Sequence, residues 1–273
     1  MTAVEQEPGT AVAVAPSAPT VPARRSGFWS RPAWREFVLL AAVYGLYALT
    51  RRITAGSADD AVSNAGRVLR AERAVRLAPE RWLNQAVSTR PLLAVPADYA
   101  YASLHYVVTP IVLVWLWRAH PSAYLPARRT LMAATLLGLI GFATVPLSPP
   151  RMMPGFIDTM ARYGHDGWWG SAASAPKGLG SFTNQFAAMP SLHVGWAIWC
   201  GVVVARHARR RWVRGLAVGY PVLVVLVVLS TANHYLLDAV AGLAVLITGY
   251  AIARAAVRLG WLRPAAPMLM EAR

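Results

Sequence analysis

Three short stretches of this chain set ionisable side chains among apolar ones. That placement is costly unless the groups are used, so it marks function by default. The first, Ser148-Pro-Pro-Arg151, ends an apolar run with a guanidinium. Its planar fork of donors suits phosphate oxygens, although an arginine at such a point can also simply reach for the interface. The second, Asn184-Gln-Phe-Ala-Ala-Met-Pro-Ser-Leu-His193, opens another apolar run. Pro190 suits the first position of a helix, where its missing N–H costs nothing. The N–H groups around Ser191 and Leu192 would then face an anion at a positive helix end, with His193 close enough to exchange a proton with it. The third, Thr231-Ala-Asn-His234-Tyr-Leu-Leu-Asp238, spaces a histidine and an aspartate at i and i+4, which predicts one helix face. A carboxylate there holds an imidazole in a single tautomer and stabilises its cation.

Each cluster alone also has a plain structural reading: an interfacial arginine, a packed histidine, a buried His–Asp pair. Together they supply an anion clamp, a helix N-terminus, one histidine beside it and a second held by a carboxylate. Those parts match phosphoryl transfer through a covalent phosphohistidine. No cluster offers the several oxygen ligands that magnesium prefers, and no Gly-rich loop with Lys-Ser/Thr occurs, so neither metal nor cofactor is expected. The one cysteine, Cys200, excludes an internal disulfide and any multi-cysteine metal site. It reads as a buried thiol. His105, in Tyr101-Ala-Ser-Leu-His105, either lines the same cavity or packs in the core.

The elements that must position these residues are membrane spans. Of the 273 residues, 56% are apolar and 14% charged, against roughly 25% charged in a soluble globular chain. The formal charge of +15 would suggest nucleic acid in a soluble domain. Here the cations sit between long uncharged runs, and eleven Trp and ten Tyr fit interfacial belts, so no nucleic-acid partner is expected. Measured against the roughly 20 residues that cross a bilayer, the uncharged stretches 37–50, 99–117, 130–150, 178–205 (of which only the part after Pro190 reads as helix), 215–237 and 239–253 predict six spans. The fold class is thus an all-α integral membrane bundle of six transmembrane helices. Within 57–90, Arg67, Arg70, Arg73, Arg76 and Arg81 among apolar residues predict one or two amphipathic helices on the membrane surface, between the first two spans. Residues 1–27 read as a disordered tail without a signal-peptide pattern, 28–260 as the membrane domain and 261–273 as a short cytoplasmic tail.

Loop charge sets the orientation. The loops with Arg118, Arg128 and Arg129 and with Arg206 to Arg214, and the tail with Arg254, Arg258 and Arg263, belong on the cytoplasmic side of the cell membrane. The loop 151–189 and the turn 230–235 fall outside, and all three polar clusters map to that outer face. The arginines of 51–90 fall there too, against the rule.

Met189-Pro-Ser-Leu-His193 followed by His234-Tyr-Leu-Leu-Asp238 resembles the type 2 phosphatidic acid phosphatase superfamily over about residues 34–258. The Leu of "PSLH", the "AAMPSLH" lead-in and "NHYLLD" are similar to its inositol phosphorylceramide synthase-like branch of inositolphosphotransferases. The resemblance implies a metal-free six-helix bundle that transfers a phosphate or phospho-head group from a phospholipid or lipid-linked phosphate. It implies His234 as nucleophile, Asp238 as its orienting partner and His193 as general acid. Arg151, Ser191 and Asn184 would hold phosphate. Two features of the family pattern are absent: its Lys-x6-Arg-Pro motif, and the Arg six residues before the nucleophile, where Val228 stands. Arg151 and Lys177, the only lysine, are the candidates to complete the clamp. Transfer to an alcohol makes a transferase and transfer to water a lipid phosphatase. Two other readings stay open: a transporter that relays protons through its intramembrane His and Asp, and a scaffold that binds anionic lipid through 51–90.

Overall fold

The computed structural model describes residues 58–169 and 185–262, with isolated positions at 38, 42, 45 and 49. The expected tail 1–27, nearly all of the first expected span, Lys177, Asn184 and most of the C-terminal tail lie outside the described residues. Among these, eight α-helices occur and no strand; Leu147 and Ala187 form one isolated bridge.

Two short helices come first, α1 (Ala58–Ala74) and α2 (Glu80–Ser88). The bundle follows with α3 (Pro91–Ala119) and α4 (Pro121–Thr144). A 3-10 turn (Pro150–Met152) and the single turn α5 (Thr159–Arg162) lead to α6 (Leu192–His207), α7 (Arg211–Ser230) and α8 (Leu236–Arg258). Three of them, α3, α7 and α8, are long and apolar enough to cross a membrane, at 29, 20 and 23 residues. Their outward faces carry exposed Ile111, Val218 and Ile247, 61, 64 and 59% accessible, as a lipid-facing surface would.

Two helices are offset from their uncharged runs: α4 begins before the run 130–150, at Pro121, and α6 ends after the run 178–205, at His207. The run 130–150 stops being helical at Thr144, because Pro146, Pro149 and Pro150 follow and the residue before a proline avoids the α region. At 16 residues, α6 rises only about 24 Å, against a hydrocarbon core of roughly 30 Å. The run 215–237 is also interrupted. α7 ends in a Schellman motif, with Asn233 N–H donating to the Val228 carbonyl and Ala232 N–H to that of Leu229. Ala232 holds the left-handed position, φ 54°, that glycine usually takes, and it is fully buried.

Glycine decides how closely the long helices approach. A Cβ on Gly242 of α8 would lie 2.3 Å from the Ser191 carbonyl, and one on Gly249 would lie 2.6 Å from the Ala134 nitrogen of α4. Both contacts forbid any larger residue, and the first brings the start of α6 against the start of α8.

The helices α1 and α2 fall in the expected segment 57–90; α1 buries Ala61, Ala65 and Leu69 and leaves Arg67, Arg70 and Arg73 exposed, but the polarity of α2 is inverted. The inward face of α2 carries Glu80, Asn84 and Ser88, all essentially inaccessible, while Trp82 is 69% exposed. Asn84 explains the inversion. Its amide donates to the carbonyls of Ile157 (2.9 Å) and Ser230 (3.0 Å) and accepts from the Ile157 N–H at 2.8 Å. The pair therefore ties off backbone groups that the helix breaks expose.

Candidate active site

The N-terminus of α6, the C-terminus of α7 and the N-terminus of α8 meet at one end of the bundle. The chain alternates direction through these three helices, so residues distant in sequence become neighbours. The Ser191 N–H donates to the Asp238 carbonyl at 2.9 Å, joining the second cluster directly to the third.

His234 sits just before α8 rather than on its face. The expected i, i+4 helical pair is corrected accordingly: Tyr235 is the N-cap and Asp238 the third helical residue. Asp238 Oδ2 accepts the N-cap N–H of Tyr235 at 2.9 Å and faces His234 Nδ1 at 3.3 Å. Capping by a carboxylate at this position is favoured by the helix dipole. The same oxygen thus fixes the helix start and the imidazole. His234 and Asp238 side chains are 5% and 0% exposed. With Nδ1–H assigned towards the carboxylate by this network, Nε2 carries the lone pair, and among the described residues it has no hydrogen-bond partner.

His193 lies in the first turn of α6, its ring centroid 5.5 Å from that of His234. Pro190 is not the first helical residue. Leu192 is, with Ser191 as N-cap, its hydroxyl accepting from Val194 N–H. With the N–H of Ser191 committed to Asp238, the open groups of this cap are later ones in the first turn. The Leu192 N–H, for one, has no intrahelical carbonyl to bond.

Arg151 reaches the same point from the 3-10 turn. Its backbone N–H donates to the Ala232 carbonyl at 2.7 Å and its Nε to Asn233 Oδ1 at 3.1 Å, next to His234. Asp158 Oδ2 stands 3.9 Å from Nε. Ser148 is held by α1 and α8 together, its N–H donating to the Ala61 carbonyl and its carbonyl accepting from Tyr235 Oη at 3.0 Å. Val228, where the family pattern has arginine, is fully buried in the apolar core with Tyr101, Val194 and Ala239. The cation beside His234 is therefore Arg151, from a different element.

Four further residues enter the site, of which the sequence reading weighed only His105, as lining the cavity or packing in the core. Tyr101 of α3 stacks on His193, centroids 4.5 Å apart and 25° between planes, and meets His234 edge-on at 6.3 Å. His105, one turn on, stands edge-on to His193 at 4.3 Å. The i, i+4 spacing of Tyr101 and His105 inside an apolar span was the available signal, and it places both on the helix face towards α6. Asn233 was legible only as the residue before His234. Glu72 of α1 is the fourth. Its Oε1 accepts the Leu237 N–H at 2.7 Å, satisfying another free group of the α8 N-terminus. Burial pushes the Glu72 carboxyl up from 4.5 to about 8. The hydrogen bond from Leu237 opposes the rise and neighbouring Glu80 adds to it.

Among the described residues, no group of three or more His, Cys, Asp or Glu is arranged to hold a metal ion. Arg151, Ser191, His193, His234 and Asp238 converge, whereas Lys177 and Asn184 lie outside the described residues. A family model of the PAP2 superfamily matches residues 66–252, which contain all three polar clusters. No curated protein and no solved structure matches the chain.

Proposed function

The chain belongs to the PAP2 superfamily, that of the type 2 phosphatidic acid phosphatases, and from that premise we propose that it transfers a phosphate or phospho-head group from a lipid donor to an alcohol through a phosphohistidine at His234. Membership suggests lipid phosphatase or phosphotransferase activity, and members are generally metal-independent enzymes that use a histidine. The observation that carries the residue assignment is the pairing of His234 Nδ1 with Asp238 Oδ2, with Nε2 unpartnered and the His193 ring 5.5 Å away.

In this reading, His234 Nε2 attacks phosphorus and the P–O bond to the leaving group breaks. His193 gives its proton to the departing alkoxide. Asp238 stabilises the imidazolium character that develops on His234. Arg151 and the α6 N-terminus stabilise the equatorial oxygens, with Lys177 and Asn184 completing the phosphate-binding set. The acceptor alcohol then attacks the phosphohistidine, giving its proton to His193, and the P–N bond breaks to restore His234. Each step conserves charge and protons with no co-reactant.

The alcohol is the favoured acceptor because "PSLH" and "NHYLLD" resemble the inositolphosphotransferase branch. We place α4 and α6 beside α3, α7 and α8 as further spans, and residues 37–50 as the sixth. The basic segments around Arg128 and Arg206–Arg214 lie at the end remote from the histidines, so the positive-inside rule puts the active site on the outer side of the cell membrane, in reach of outer-leaflet lipid.

Product analysis tests the proposal. Purified protein is given labelled phosphatidic acid or phosphatidylinositol, with and without inositol or other polyols, in EDTA. Label appearing in the alcohol supports transfer. Inorganic phosphate alone, whatever acceptor is offered, would reduce the activity to hydrolysis, and loss of all turnover in EDTA with rescue by a divalent ion would contradict the metal-free route.

A further inference from the structure

A second cavity, of about 490 Å³, lies where the ends of α3 and α6 meet the start of α7. Its walls are apolar: Ile111, Val112, Trp115, Val204 and Val213. Its polar lining is basic, made of His120, His207, Arg209 and Arg210, and among the described residues no carboxylate contributes to it. The two imidazoles stand 5.1 Å apart, and Trp115 meets His120 edge-on at 4.8 Å. At about 1.5 Å per residue, α6 rises roughly 21 Å from His193 to His207, so this cavity is separate from the histidine site.

We propose that this cavity binds the head group of an anionic phospholipid from the leaflet opposite the active site. Two arginines, with two imidazoles beside them and no acid among the described lining residues, make a receptor for a phosphodiester and its negative charge, as basic pockets at the cytoplasmic ends of spans do. The apolar half of the lining would serve no purpose for a soluble anion. It is continuous with the exposed outer surface of α3 at Ile111, which gives an acyl chain a path out into the bilayer. Arg209 and Arg210 are exposed at the turn into α7, at the depth where head groups lie. The inference does not depend on the reaction at His234.

Native mass spectrometry of the full-length protein, titrated with phosphatidylglycerol, phosphatidylcholine or inorganic phosphate, tests it. One phosphatidylglycerol should be retained in preference to phosphatidylcholine. The pair Arg209→Gln with Arg210→Gln should weaken that binding by at least about tenfold. Val204→Phe, which fills the cavity without touching charge, should weaken it as well. The pair Arg206→Gln with Arg211→Gln removes the same charge from exposed neighbours outside the lining and should leave affinity within about twofold. Equal losses in the two arginine pairs would mean diffuse surface attraction and overturn the site. So would full binding by Val204→Phe, indifference between the two phospholipids, or displacement of the lipid by inorganic phosphate at equal concentration.

Discussion

Two pairs of histidines face each other at opposite ends of this bundle, His193 with His234 at one and His120 with His207 at the other, at similar ring separations of 5.5 and 5.1 Å. Their surroundings differ in every respect that matters for chemistry. His234 is buried, its Nδ1 faces a fully buried carboxylate, and the turn that carries it is locked by the Schellman bonds to Val228 and Leu229 and by Arg151. His120 and His207 are half-buried on a basic rim beside an open apolar cavity, with no acid among the described lining residues. Proximity of imidazoles therefore says little. A nucleophile needs a partner that fixes its tautomer and a backbone that cannot drift, whereas a binding rim needs only charge and access.

Substitutions at the two ends should separate in size. His234→Ala removes the proposed nucleophile and is expected to lower kcat/KM for a lipid phosphate by at least about 10⁴-fold, measured on protein whose helical circular dichroism is unchanged. Asp238→Asn keeps an acceptor for the Tyr235 N–H but loses the charge behind His234; a fall of about 10³-fold in kcat with little change in melting temperature is expected. An unchanged rate would make the pair structural. Gly242→Ala forces the starts of α6 and α8 apart. It should cost about 1–3 kcal/mol of stability and reduce kcat, read by thermal melts alongside turnover. Glu72→Gln retains an acceptor for Leu237 and tests the α1 contact by pH. Because the Glu72 carboxyl titrates near 8 when folded and 4.5 otherwise, the folded state binds its proton more tightly. The associated stability is fully present below about pH 4.5 and is lost as pH rises through 8. Melting temperature of the wild type should therefore decline over that window, and the variant should flatten the decline. Smallest of all, His120→Ala should leave turnover in phosphatidylcholine vesicles within about twofold; a large loss would break the contrast between the two ends.

Which residues gather at one end was legible because polar side chains at the borders of apolar runs have few places to go. Arg151, His193 and His234 each mark such a border, and alternating helix direction brings the borders together. The details at those borders were not legible. The sequence spacing suggested that His234 and Asp238 share a helix face, but the helix begins two residues after His234, because the Asp238 carboxylate is better used as a cap for Tyr235. A cap and a face have the same spacing, so only the backbone distinguishes them. Similarly, the arginines of 57–90 suggested a helix pair lying on lipid, while Glu72 and Asn84 point inward to meet Leu237 and Ser230, 165 and 146 residues away. Hydrogen bonds over such distances leave no local pattern. The three helices that are long and apolar enough to span were visible from composition; the ends of α4 were not, since uncharged residues continue past Thr144 into the prolines that stop it and the helix begins at Pro121, ahead of Arg128 and Arg129.

The central claim is a covalent bond between His234 and phosphorus, and acid-sensitive trapping tests it most directly. Purified protein is mixed with lipid carrying labelled phosphate, denatured in alkali within the first turnover and mapped by mass spectrometry. The account predicts a base-stable, acid-labile adduct on His234 that is absent from His234→Ala. A labelled adduct on another residue, or full turnover by His234→Ala with no adduct at all, would contradict it.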